Sequence, residues 1–160
     1  KSMIMKIWIV MLTLIAFVSF HQVQAQDKNS IRQLLESRDF VFKAQSVSPL
    51  RGGIRQLTSD YDLRIAGDSM IAYLPYFGRA YAGVILTPGD GPLTFNSTQY
   101  TYAITERKKG WDVSITPKDA KDVRQLFLSV TQSGYASLNV TSNNRDNISF
   151  NGYITAIKNR

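Results

Sequence analysis

The feature that most constrains this chain is the strict alternation of apolar and polar residues in short runs through its second half. Trp111–Thr116 and Gln125–Val130 are two such runs. A period of two places successive side chains on opposite faces of a strand, so one face is buried and the other meets water. Short turns rich in Gly, Asn and Ser separate the runs, which indicates that neighbouring strands pair antiparallel.

The first half of the chain predicts one helix followed by further strands. Ile31, Leu34 and Leu35 recur at helical spacing, so the sequence predicts a helix over Asp27–Arg38. Thr116–Asp119 resembles a capped single helical turn, and Gly152 is a candidate β-bulge. The other predicted strands contain the following runs: Phe40–Ala44, Tyr61–Ile65, Met70–Leu74, Tyr100–Ile104, Ala136–Val140 and Ile148–Ile154.

These elements predict a mainly β fold of the α+β type. We expect an antiparallel meander sheet, either open and curved or partly closed into a barrel, with the N-terminal helix packed on it. The chain of 160 residues has room for one domain, which we assign to residues 26–160.

Residues 1–25 have the pattern of a secretory signal peptide. Lys1 and Lys6 precede an apolar run, Ile7–Val18, and cleavage is predicted after Ala25. The run is shorter than the roughly 20 apolar residues that a spanning helix needs, so an uncleaved anchor is the weaker alternative. We therefore expect export to the periplasm, the cell exterior or the envelope, with no transmembrane span left after cleavage.

Composition excludes several classes of function. The chain has no cysteine, and its single histidine, His21, falls within the predicted leader. A Ser-His-Asp or Cys-His nucleophile needs an imidazole, and a metal site without Cys or His must use oxygen ligands alone, which disfavours Zn, Cu and Ni. Without Lys1 and Lys6, 17 basic residues face 12 acidic ones, a net charge of +5. These basic residues are scattered rather than striped, which argues against nucleic acid as a partner. We predict neither a cofactor nor a metal.

Four segments, in this order, resemble the domain of unknown function 4251 family of exported Bacteroidota proteins. They span most of the chain after the leader: Tyr73–Tyr81, Lys108–Val113, Gly134–Leu138 and Thr141–Tyr153. The resemblance implies a secreted or envelope protein of unassigned activity, and it carries over no catalytic residue. It also implies that Asp68-Ser69-Met70 is a candidate O-glycosylation site, with the glycan on Ser69.

The irregular stretch Pro75–Pro92 contains the candidate binding residues. Tyr76, Phe77, Arg79 and Tyr81 place three aromatic rings around one guanidinium, which suits stacking on a sugar or holding an anionic group. The alternative is that the rings close one end of the sheet. Loops of this length are often functional, so we expect a non-enzymatic binding module for a small ligand, a glycan or an envelope protein.

Two further functions stay open. Asp60 and Asp62 share one face of a predicted strand with Arg64, an arrangement that would suit a carboxylate-dependent hydrolase. A solvated sheet face with its own counter-ion explains the same three residues, and we favour that interpretation. The other alternative is a structural or assembly protein of the envelope that uses a sheet edge or its basic surface.

Overall fold

The alternating runs form nine strands in the computed structural model, which describes residues 28–77 and 93–157. A helix, α1, occupies residues 28–37, as predicted for the described part of that segment. The strands, in chain order, are β1 (Asp39–Pro49), β2 (Arg55–Ala66), β3 (Ser69–Leu74), β4 (Leu93–Ser97), β5 (Tyr100–Arg107), β6 (Gly110–Pro117), β7 (Val123–Thr131), β8 (Tyr135–Ser142) and β9 (Ile148–Ala156). The predicted leader, residues 1–25, and its cleavage point lie outside the described residues.

All nine strands form one sheet in the order β4-β3-β2-β1-β9-β8-β7-β6-β5. Each neighbouring pair is antiparallel, and all but one of these pairs are adjacent in sequence. The exception is β1 with β9, which joins a four-stranded meander to a five-stranded one. The sheet curls into a half-barrel, so the predicted fold class is confirmed.

The core lies on the concave face of the sheet. On β7, Leu126 and Leu128 are fully buried while Phe127 between them is 38% exposed, as the alternation predicts. Helix α1 adds Ile31 and Leu35 to the same core. The largest fully buried side chains are Phe40, Phe42, Phe150, Leu35, Leu63, Ile65, Met70, Leu74, Ile115, Leu126, Leu128 and Leu138.

The bulge lies in β1 opposite Gly152, rather than at Gly152 itself. Ala44 pairs with Gly152, but Ser46 pairs with Asn151, so Gln45 is the extra residue. A Cβ atom on Gly152 would collide with the backbone carbonyl of Lys43. The glycine is therefore required by the close approach of the two backbones.

Polar contacts fasten the C-terminal end of α1 to the sheet. The Tyr102 hydroxyl of β5 donates to the Leu35 carbonyl at 2.8 Å, and the Gly67 N–H donates to the Arg38 carbonyl at 2.8 Å. The Arg38 guanidinium lies 4.9 Å from the centre of the Tyr102 ring. Burial raises the pKa of the Tyr102 hydroxyl, which stays a protonated donor at physiological pH.

The predicted helical turn at Thr116–Asp119 is wrong. Thr116 and Pro117 end β6, and the chain then bends without forming a helix. The Asp119 carboxylate accepts hydrogen bonds from the Ser97 hydroxyl at 2.5 Å and the Thr98 N–H at 2.9 Å. Asp119 therefore caps the turn between β4 and β5. The sequence patterns do not predict strand β4.

Across the described ranges, no helix is both long and apolar enough to cross a membrane.

We expect Gly152→Ala to lower the free energy of unfolding by at least about 2 kcal/mol, because the new methyl group meets backbone rather than a movable side chain. Urea unfolding checks this. Gly53→Ala is the matched control, since nothing lies within 4 Å of a Cβ there, and its effect should stay within about 1 kcal/mol. Equal effects at the two glycines would contradict the close approach.

We expect the contribution of Asp119 to stability to depend on pH. Its hydrogen bonds from Ser97 and then Thr98 lower the pKa of Asp119 below the ordinary value of 3.8. A carboxylate with a depressed folded pKa stabilises the fold above its unfolded pKa and loses that contribution as the pH falls through the folded value. The stability difference between the wild type and Asp119→Asn should therefore shrink below pH 3.8 in urea titrations at several pH values. A constant difference would contradict this role.

Candidate ligand-binding site

The structure places Tyr76 inside the protein rather than at its surface. The side chain is 5% exposed and belongs to the core. Its hydroxyl donates to the Asp146 carbonyl at 3.3 Å, and the Arg145 guanidinium lies 4.9 Å from the ring centre. This burial favours the alternative in which the ring closes one end of the sheet.

Phe77 contacts a different part of the fold. Its half-buried ring lies under the Arg55 guanidinium at 5.1 Å, at the start of β2. Arg79 and Tyr81, the other two residues of the predicted site, lie outside the described residues. The predicted cluster therefore stays a prediction. In the structure, the Arg145 guanidinium contacts the Tyr76 ring and the Arg55 guanidinium contacts the Phe77 ring.

A small polar cleft of about 240 Å³ lies between β4 and the β6–β7 connection. Asp119, Lys121 and Arg145 contribute to its walls. Within the part of the chain that the structure describes, the Nε and Nη1 atoms of Arg145 are buried without a hydrogen-bond partner. The same guanidinium contacts the face of the Tyr76 ring, so Arg145 joins the wall of the cleft to the core.

The convex face of the sheet carries a row of tyrosines around one ion pair. Lys43 on β1 lies between Asp62 on β2 and Tyr153 on β9, and its Nζ is 3.0 Å from the Asp62 carboxylate. The same register continues to Tyr73 on β3 and to Tyr135 on β8. At the usual strand spacing, this row of five residues is roughly 19 Å long.

These tyrosines are accessible. Tyr73, Tyr153 and Tyr135 are 45%, 39% and 65% exposed, so their rings lie on the face of the sheet opposite the core. The Tyr73 ring also stacks on Tyr61, with centres 5.5 Å apart. Stacking restricts the motion of both rings, and Tyr61 is itself partly buried against the core.

Two grooves on this face meet at Lys43 and Tyr153. The larger, about 680 Å³, opens where β2 departs from the register of β1, and Gln45, Gln56, Thr58, Ser59 and Asp60 give it a polar lining. The smaller, about 400 Å³, has Arg64 and Thr155 at its sides. Val41 also lines it and is 5% exposed, although it is not a member of the concave core.

The candidate carboxylate pair has a structural partner. Asp62 binds Lys43, while Asp60 lines the larger groove and Arg64 the smaller one. The counter-ion of Asp62 is thus a lysine on the adjacent strand, not the arginine two residues away. An ion pair at 3.0 Å keeps that carboxylate occupied, which fits the solvated-face interpretation better than acid–base catalysis.

Ser69 begins β3 directly after an exposed turn at Gly67 and Asp68. Its side chain is partly exposed, whereas Met70 beside it is fully buried. Attachment of a glycan at Ser69 stays a prediction.

Sequence reasoning missed Lys43, Tyr153 and Tyr135 as site residues. They lie in three separate strands, and only the pairing of β1 with β9 and of β9 with β8 brings them together. The available signal was weak: each of the two tyrosines stands at a polar-facing position of its strand, where alternation predicts exposure.

Comparison with known proteins agrees with this architecture. Residues 22–154 match the family model described as Domain of unknown function (DUF4251). The structure is similar to the crystal structure of a DUF4251 family protein from Bacteroides eggerthii DSM 20697, with a TM-score of 0.63 and 19% sequence identity. That match covers 83% of this chain and 91% of the other, and at this identity it establishes the fold alone. No curated protein gives a significant match to the chain.

We expect Tyr76→Ala to lower the free energy of unfolding by about 3–5 kcal/mol, because it empties a buried ring site. Tyr76→Phe should cost about 1 kcal/mol, since it keeps the ring and removes the hydroxyl that donates to the Asp146 carbonyl. The control is Tyr73→Ala on the convex face, with a loss below about 1.5 kcal/mol. Chemical denaturation measures all three. A wild-type stability for Tyr76→Ala would contradict the burial of this ring in the core.

Proposed function

Because the chain belongs to the DUF4251 family, whose description names no activity, we propose its function from its own surface. The protein is an exported binding module of the cell envelope, and it binds a saccharide on the convex face of its sheet. The observation that carries this proposal is the pair of grooves that meet at Lys43 and Tyr153.

The lining of the grooves has the chemistry that a saccharide requires. A sugar ring presents an apolar C–H face and a rim of hydroxyl groups. Exposed tyrosine rings offer flat apolar surface with a polar tip, and Tyr153 borders both grooves. Gln45, Gln56 and Ser59 offer hydrogen-bond donors and acceptors to the hydroxyl rim.

The charge of the site favours a ligand without strong charge. Lys43 and Asp62 neutralise each other at the centre of the row, with both side chains 32% exposed. Each keeps further hydrogen-bonding capacity, because an ammonium has three donors and a carboxylate several lone pairs. Groove volumes of about 680 and 400 Å³ lie within the range of ligand sites in proteins.

The predicted leader supports the location. A chain with the signal-peptide pattern of residues 1–25 is directed to the compartment where polysaccharides are abundant. In this proposal Tyr76 does not contact the ligand, because its ring is buried in the core. Ligand contact by Arg79 and Tyr81 stays a prediction from the sequence.

Binding of soluble gluco-, manno- and xylo-oligosaccharides, measured by calorimetry, tests the proposal. We expect Tyr153→Ala to weaken binding at least about tenfold, equivalent to ~1.4 kcal/mol, because a stacking face is lost. Tyr153→Phe should keep most of the affinity if the ring face carries the contact.

Phe127→Ala is the matched control, because Phe127 is 38% exposed on the same sheet but lines neither groove. It should leave the affinity unchanged. If no oligosaccharide binds and an envelope protein is instead retained through Tyr153, the saccharide proposal fails and the assembly alternative takes its place. Equal losses for Tyr153→Ala and Phe127→Ala would remove the grooves as the site.

A further inference from the structure

The loop between β1 and β2 carries the two most exposed large aliphatic side chains among the described residues. Leu50 is 64% exposed and Ile54 is 67% exposed, against 42% for Ile71, the next in rank. Neither side chain belongs to the core or to the residues packed against it. Two aliphatic side chains at one tip form an apolar surface that the fold leaves in water.

The tip stands clear of the rest of the protein. Pro49 ends β1, and Gly52 has a φ of +107°, a conformation that turns the chain back toward β2. Nothing lies within 4 Å of a Cβ atom placed on Gly52 or Gly53. Leu50 and Ile54 therefore flank a turn that projects beyond the ends of both strands.

Basic residues accompany the apolar ones, and acidic residues do not. Arg51 lies within the tip and Arg55 begins β2 directly after it, and the sequence from Ser46 to Ser59 contains no Asp or Glu. The ion pairs formed between described residues include neither arginine. The Arg55 guanidinium rests on the Phe77 ring, which orients it beside the tip.

We propose that this tip binds the surface of an anionic lipid bilayer. Leu50 and Ile54 enter the boundary between headgroups and acyl chains, and Arg51 and Arg55 contact lipid phosphates. Aliphatic insertion and electrostatic attraction reinforce each other at a membrane surface, and a guanidinium binds phosphate with two hydrogen bonds. The proposal is independent of the saccharide site, because it rests on the loop and not on the grooves.

The absence of native cysteine makes a direct test possible. Ile54→Cys in the full chain is labelled with an environment-sensitive fluorophore and mixed with phosphatidylcholine vesicles, with or without phosphatidylglycerol. We expect a blue shift and quenching by a lipid-borne quencher only with the anionic vesicles. Because the probe reports the tip itself, binding through any other segment does not produce the signal.

Three variants complete the test. Lys109→Cys carries the same label in the exposed β5–β6 turn, at the opposite end of the strands, and should give no shift. Leu50→Ser in the labelled chain should reduce the vesicle partition coefficient about tenfold, because Leu50 is the inserting aliphatic side chain that remains once Ile54 carries the label. Arg51→Gln with Arg55→Gln should reduce it by a similar factor and flatten its dependence on salt.

Several results would overturn the proposal. These are no shift at position 54 with anionic vesicles, equal shifts at positions 54 and 109, or equal shifts with and without phosphatidylglycerol. A shift that grows with protein concentration in the absence of lipid would assign the tip to contact between copies of the chain, and would also overturn it. Oligosaccharide binding by the same variants should be unchanged, which separates failure here from failure of the saccharide site.

Discussion

The pairing of β1 with β9 is the interaction on which the rest of the structure depends. It joins two meanders, each built from neighbouring strands, into one sheet, and it is the pairing with the largest separation along the chain. Closing so long a loop has an entropic cost that only the burial of apolar surface can offset. The bulge at Gln45 in β1 and the glycine at position 152 in β9 let the two backbones approach closely. Both strands therefore contribute a feature that this close contact requires.

A single curled sheet has one buried face and one solvent-exposed face, and this division separates the residues that stabilise the fold from the residues of the proposed binding site. The concave face and α1 bury the aromatic and aliphatic side chains that hold the fold. The convex face is free to carry Tyr73, Tyr153 and the Lys43–Asp62 pair without loss of core. The larger groove opens beside the bulge in β1, where the pairing of β1 with β2 also departs from its register. One local irregularity in β1 therefore accompanies both the backbone bulge and the groove.

Sequence patterns predicted the strands with alternating residues, such as those in β6 and β7, because alternation reports directly on which face is buried. They also predicted α1 and the family, which the match over residues 22–154 confirms. Strand β4 escaped prediction because it is short, with five residues, and follows a proline-rich stretch. The role of Asp119 escaped it too, since its hydrogen-bond partners Ser97 and Thr98 lie in another element.

The sequence by itself determined the class of fold, the face that each strand buries and the chemistries that the chain lacks. These are properties of local periodicity and composition, and they need no knowledge of distant contacts. Only the tertiary structure decided that Tyr76 is buried against Arg145 and that Lys43 lies beside Tyr153. The physical reason is that both juxtapositions arise from pairing and packing between segments far apart in the chain, and no local pattern encodes which distant strand a given strand will meet.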